Sequence, residues 1–188
     1  MPTPAFFQNY IHAVAAIRLC IDKRLISPAL ILIYATMDSY AWAVSAKDPG
    51  GRMRFEEFVR DWVLPNHPLP CTPTDLYAAR CAILHTLTSE SDLSRSGKAQ
   101  RVLYAWGTGE VARLDSALQH LGAQDVVTIQ VEDLANALFK AMVAVSEKAA
   151  VDDALEQRLR EAAGQHYQNL ETGTVAEFLK RVHGKAAV

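Results

Sequence analysis

Arg80 and His85 stand five positions apart within residues 72–87, TPTDLYAARCAILHTL, and are the pair in this chain best suited to chemistry on a phosphodiester. Histidine is the side chain whose ordinary pKa permits proton transfer near neutral pH. Arginine offers an always-charged planar fork that matches phosphate oxygens. Cutting RNA without a metal needs a base for the 2′-hydroxyl, an acid for the 5′-oxygen and positive charge for the phosphorane, and an Arg–His pair can meet those needs. Both side chains are costly to bury unpartnered in an otherwise apolar helix. The same pair is also consistent with a purely structural role, as a buried ion pair and a helix-terminal His favoured by the dipole.

The segment that carries them opens like a helix. Thr72 is a good N-cap, Pro73 suits the first helical position, and Asp75 can reach back to free amides. Five helical positions correspond to roughly 140° of rotation and about 7.5 Å of rise. The two side chains are therefore expected to flank a groove rather than stack on one face of a single chain. Residues 28–46 read as a second helix, apolar nearly all round and central to the core, with Asp38 its one mid-helix carboxylate. If these helices pack, Asp38 can hold Arg80 in a bidentate pair and limit its burial cost. Residues 5–25 suit an amphipathic first helix, with Phe6, Tyr10, Val14, Ile17 and Ile21 at spacings of three and four.

Lys47 to Gly51 (KDPGG) is strong turn chemistry, followed by a short helix over 54–63 and a proline-rich connection over 64–70. Residues 101–106 (RVLYAW) and 125–131 (DVVTIQV) read as strands, expected to form a small antiparallel hairpin, with a helix over 111–121 between them. Helical periodicity returns over 132–148, and residues 152–170 and 174–182 read as two more polar helices. The expected fold is mainly α: a bundle with a short β element over 1–150 and a helical extension over 151–188, packed on it or projecting from it.

Length, composition and charge narrow the function. A chain of 188 residues, half of them hydrophobic, can bury one substantial core, and a net charge of −2 gives no global basic field for nucleic acid. Arg95, Lys98 and Arg101 form a local basic cluster that could track phosphates, or simply a solvated loop. Cys20, Cys71 and Cys81 form no CxxC pair or zinc set and read as reduced thiols, which implies a cytoplasmic setting. His12, His120, His166 and His183 have no companions at metal-ligand spacing, and His67 is expected to be solvated. Gly107-Thr108-Gly109 is not a phosphate-loop fingerprint. No segment has the length and polarity of a membrane span, and residues 1–10 do not read as a signal peptide.

The phrase DLYAARCAILHTL, the helix text TMDSYAWA around Asp38, a Gly-containing turn and then RFEEFVRDWV together resemble the HEPN superfamily, over about residues 28–87. The resemblance implies a helical bundle, commonly a homodimer, in which Arg80 and His85 of two protomers meet in an interfacial cleft. It further implies metal-independent endoribonuclease activity without a cofactor, in toxin–antitoxin, phage-defence or RNA-processing roles. Beside the pair, Asp38, Tyr77 and Cys81 read as supporting residues, with Tyr77, like Tyr104, either stacking on a base or belonging to the core. The alternative is a non-catalytic dimerisation or partner-binding module that meets an antitoxin or defence component. Active members often carry Asn, Asp or His after the motif Arg. Cys81 stands there in this chain, and a thiol is a weak hydrogen-bond partner, which favours the alternative.

Overall fold

The computed structural model describes residues 4–46, 50–109, 111–123, 125–165 and Glu177. Residues 47–49 of the expected turn over 47–51 lie outside them, as do residues 166–170 of the helix expected over 152–170 and the last expected helix, 174–182, apart from Glu177. The described chain is mainly helical. Helix α1 (Pro4–Asp22) and α2 (Ile26–Val44) pack side by side, and α2 also touches the helices that follow from both halves of the chain. Its apolar sequence is the reason: Leu30, Ile33, Tyr34, Met37, Tyr40 and Ala41 are all buried. A helix with apolar side chains on every side is stable only when surrounded.

Helix α3 (Gly51–Phe58) runs into one π-helical turn (Val59–Val63) and a final α-helical piece, α4 (Leu64–Asn66). The expected break at the prolines therefore comes later than Leu64. Pro65 lacks an N–H, and its ring crowds the carbonyl four residues back. The helix accommodates it by widening, with the Leu64 N–H donating to the Val59 carbonyl, five residues away.

Helix α5 (Pro73–Thr86) starts as its sequence dictates. Thr72 Oγ1 accepts from the Asp75 N–H at 3.2 Å, and Asp75 Oδ2 accepts from the Thr72 N–H at 2.8 Å. The other carboxylate oxygen accepts from the Gln100 N–H at 2.7 Å, so this buried Asp also ties α5 to the strand that follows. At the far end, Leu87 takes a left-handed conformation (φ 52°) and the Thr88 N–H returns to the Ala82 carbonyl, closing the helix just beyond His85.

After the short α6 (Asp92–Arg95) come β1 (Arg101–Ala105), α7 (Val111–His120) and β2 (Val126–Gln130). The strands pair in parallel, Arg101 with Val126 through Ala105 with Gln130, and not as the expected antiparallel hairpin. The intervening helix decides this. It carries the chain back along the sheet so that β2 enters at the same end as β1, whereas a hairpin needs a tight turn. Helix α8 (Val131–Ala149) follows directly, burying Leu134, Leu138, Ala141 and Val145. Helix α9 (Asp153–Gln165), started by Asp152 accepting from the Leu155 N–H at 3.1 Å, buries Leu155 and Leu159 against α2 and α8 in the same core. No helix among the described residues is long and apolar enough to cross a membrane.

Candidate functional site

Helices α2, α3 and α5 meet around Arg80. The guanidinium Nη2 donates to Asp38 Oδ2 at 2.7 Å, joining α5 to α2. The contact is a single bond and not the expected bidentate fork. Burial works against the charge of Arg80, and the hydrogen bond and opposite charge of Asp38 outweigh it, holding the guanidinium above its ordinary pKa. The pair is only partly shielded, with 18% of the Arg80 side chain and 30% of that of Asp38 exposed. The Nε atom of Arg80 is buried and has no hydrogen-bond partner.

Arg80 Nη1 lies 3.4 Å from Nε2 of His85. The two side chains thus meet within one chain, contrary to the expectation from helical rotation. The long arginine arm spans the angular gap that the Cα positions leave. Because Nη1 can only donate, the contact selects the imidazole tautomer with Nε2 unprotonated. His85 is exposed, at the last turn of α5. Nη1 also points toward Cys81 Sγ at 3.9 Å.

Tyr77 lies three positions before Arg80, on the same helix face. Its ring packs edge-on against Phe55 of α3 (centroids 5.9 Å apart) and has the Arg80 guanidinium carbon 5.9 Å from its centroid. A second cation, Arg52 of α3, lies over the same ring at 5.7 Å. Burial and the neighbouring Cys81 raise the Tyr77 hydroxyl above its ordinary pKa, against the pull of the two arginines. Arg52 was hidden in the sequence behind the glycine turn. Its only local signal is Glu56 four residues on, and that pair forms, Nε to Oε1 at 2.9 Å.

The loop cations behave differently. Arg101 opens β1, the strand expected from residue 101, and binds Glu90 and Asp125, each at 3.1 Å. Arg95 pairs with Asp92. Two of the three cations read as possible phosphate contacts, Arg95 and Arg101, therefore face acids of their own fold, while Lys98 is exposed beyond α6. A hollow of about 220 Å³ opens beside His85, lined by Cys81, Thr86, Thr88, Ser91 and Arg95. His67 is not simply solvated: its Nδ1 lies 3.1 Å from Lys140 Nζ and its Nε2 3.7 Å from Asp133. Among the described residues no three His, Cys, Asp or Glu side chains are grouped so as to share a metal ion.

The structure therefore brings together Asp38, Tyr77, Arg80, Cys81 and His85, adds Arg52, and leaves Arg101 outside. No family model, curated protein or solved structure matches this chain.

Proposed function

We propose that this chain is a HEPN-like, RNA-directed protein that cleaves phosphodiesters without a metal, through Arg80 and His85. The observation that carries the reading is the 3.4 Å approach of Arg80 Nη1 to His85 Nε2 at an open surface, with Asp38 anchoring the arginine from behind. A guanidinium with donors to spare and an unprotonated imidazole nitrogen are the two groups that transesterification of RNA requires. His85 Nε2 takes the proton of the 2′-hydroxyl as that oxygen attacks phosphorus, and Arg80 shifts its Nη1 donors to the phosphate oxygens as negative charge grows there. The bond from phosphorus to the 5′-oxygen breaks, leaving a 2′,3′-cyclic phosphate and a 5′-hydroxyl. The acid that protonates the leaving oxygen is His85 of a second copy, brought across a twofold axis at the exposed end of α5. Dimerisation completes the site in this scheme.

The test uses purified protein and mixed RNA in EDTA, with His85→Ala and Arg80→Ala as controls. Cleavage by the wild type, lost in both variants, with cyclic-phosphate ends on the products, is the expected result. An absence of cleavage by folded dimeric protein overturns the proposal. One observation favours a second reading, a non-catalytic module that binds a protein partner. Arg80 is charge-matched by Asp38 and faces the thiol of Cys81 instead of a polar side chain. In that case the Arg80→Ala variant loses the partner while RNA stays intact throughout.

A further inference from the structure

Two guanidiniums share the ring of Tyr77, and the reaction outlined above uses only one of them. Arg52 binds Glu56 through Nε, which leaves both of its Nη groups for another acceptor. Its side chain is 47% exposed, and Glu56, at 21%, holds it from beneath. Each guanidinium carbon lies within 6 Å of the Tyr77 centroid, so the two charges stand no more than about 12 Å apart. Phosphates on one nucleic-acid strand repeat every ~3.4 Å of rise and further apart when the strand is stretched, so two phosphates one to about three steps apart on one strand span the two arginines. Arg52 follows Gly50 and Gly51, where an added Cβ would meet no atom within 4 Å.

We infer that Arg52 is a second phosphate-binding group, set by Tyr77 and Glu56 at a fixed offset from Arg80, so that the ligand of this surface is a single RNA strand of two or more nucleotides and not a mononucleotide. This rests on the phosphodiester reading of Arg80 and His85 and extends it to the neighbouring nucleotide. Arg52 does not touch the reacting phosphorus and serves as a specificity group. Both forks lie against the half-buried Tyr77 ring, which fixes each within 6 Å of one centroid.

The test reads binding on a strand that cannot be cut: a fluorescent 2′-O-methyl hexanucleotide, with a nucleoside monophosphate as the short probe. The wild type is expected to hold the hexanucleotide at least tenfold more tightly than the monophosphate. Arg52→Ala is expected to weaken the hexanucleotide about tenfold, leave the monophosphate unchanged, and lower the slope of log affinity against log salt by about 0.7, the value for one contact to a single strand. Arg52→Lys restores the salt slope and part of the affinity. The pair with Glu56 is an exposed helix pair, so Arg52→Ala folds normally. Hexanucleotide affinity unchanged in Arg52→Ala, with cleavage of ordinary RNA intact, overturns this subsite alone. An Arg52 effect on binding, with no cleavage of ordinary RNA by the wild type, overturns the nuclease reading alone. An oligoglutamate that competes as well as the hexanucleotide overturns the nucleotide assignment in favour of an acidic protein partner.

Discussion

The bundle holds two polar clusters that began with the same problem, hydrogen-bonding groups on helices that must pack, and solved it in opposite ways. Under α2, the hydroxyls of Tyr34 and Tyr104 meet at 2.7 Å, and Tyr34 is fully buried. Cys71 packs near them, its thiol pushed up to about 12 by burial and by the charge of Asp75. The two hydroxyls satisfy each other, and burial favours the neutral form of all three groups. One turn along the same face of α2, Asp38 pairs with Arg80, which reaches an exposed His85, and Arg80 keeps a buried Nε with no partner. A cluster built only for stability closes its hydrogen bonds internally. One that keeps a part-exposed ion pair beside an exposed imidazole is placed where a ligand can reach it.

The largest expected effects break the open cluster and leave the fold alone. His85→Ala should lower EDTA-resistant RNA cleavage by about 10²- to 10⁴-fold, the usual range for removing a general acid–base group. Because His85 is exposed, its melting transition should shift by no more than about 0.5 kcal/mol. A large loss of stability would move His85 into the structural class and dissolve the contrast between the two clusters.

The next effect breaks the closed cluster. Tyr34→Phe strands the Tyr104 hydroxyl and should cost about 1–3 kcal/mol in urea unfolding, whereas Tyr34→Phe with Tyr104→Phe should recover much of that loss. Independent, additive losses would show that the hydroxyls do not depend on each other. Asp38→Asn should cost about 1–2 kcal/mol, below the loss for a sealed ion pair because both partners keep some water. Unlike the tyrosine change, it should also slow cleavage, because Arg80 loses its anchor.

Acid–base behaviour sharpens the same distinction. Burial raises the pKa of Cys71, Tyr34 and Tyr104 in the folded state. The folded chain therefore holds these protons at a pH where the unfolded chain releases them, and stability falls as pH rises. For Cys71 that loss begins near the ordinary thiol value of 9.0 and continues to about 12. Urea midpoints measured between pH 8 and 11 should hold until about pH 9 and fall beyond it, and Cys71→Ala should flatten part of the decline. A midpoint that is constant across that range would contradict the burial of these groups.

Much of the site was legible because helices announce themselves and misplaced charges demand partners. The capping box at Thr72 and Asp75, the apolar girth of α2 and the Asp38–Arg80 pair all follow from local pattern plus the cost of burying a charge. What stayed hidden depends on contacts between distant segments. The parallel pairing of β1 and β2 is set by where α7 returns the chain. The acids that occupy Arg101 lie 11 and 24 positions away, and spacing along one strand does not reveal them. Arg52 was obscured by its place at a glycine turn, where residues usually belong to solvent. The meeting of Arg80 with His85 inside one chain was missed because helical rotation locates Cα atoms and says little about the reach of a long side chain.

The smallest effect tests the loop cations. Arg101 is held by two carboxylates, Glu90 and Asp125, so its charge is already answered and its Nε and Nη1 donors are already engaged. Such half-exposed pairs contribute little each, so Arg101→Ala should cost about 0.5–1 kcal/mol, mostly by loosening the start of β1. Its effect on hexanucleotide affinity should stay within twofold, and the salt dependence should be unchanged, because no phosphate contact is lost. That is the inverse of the Arg52→Ala expectation. Two arginines with similar sequence credentials are separated by what the fold has placed around them, and a salt slope that drops for Arg101→Ala would place the phosphate path over the sheet instead of over Tyr77.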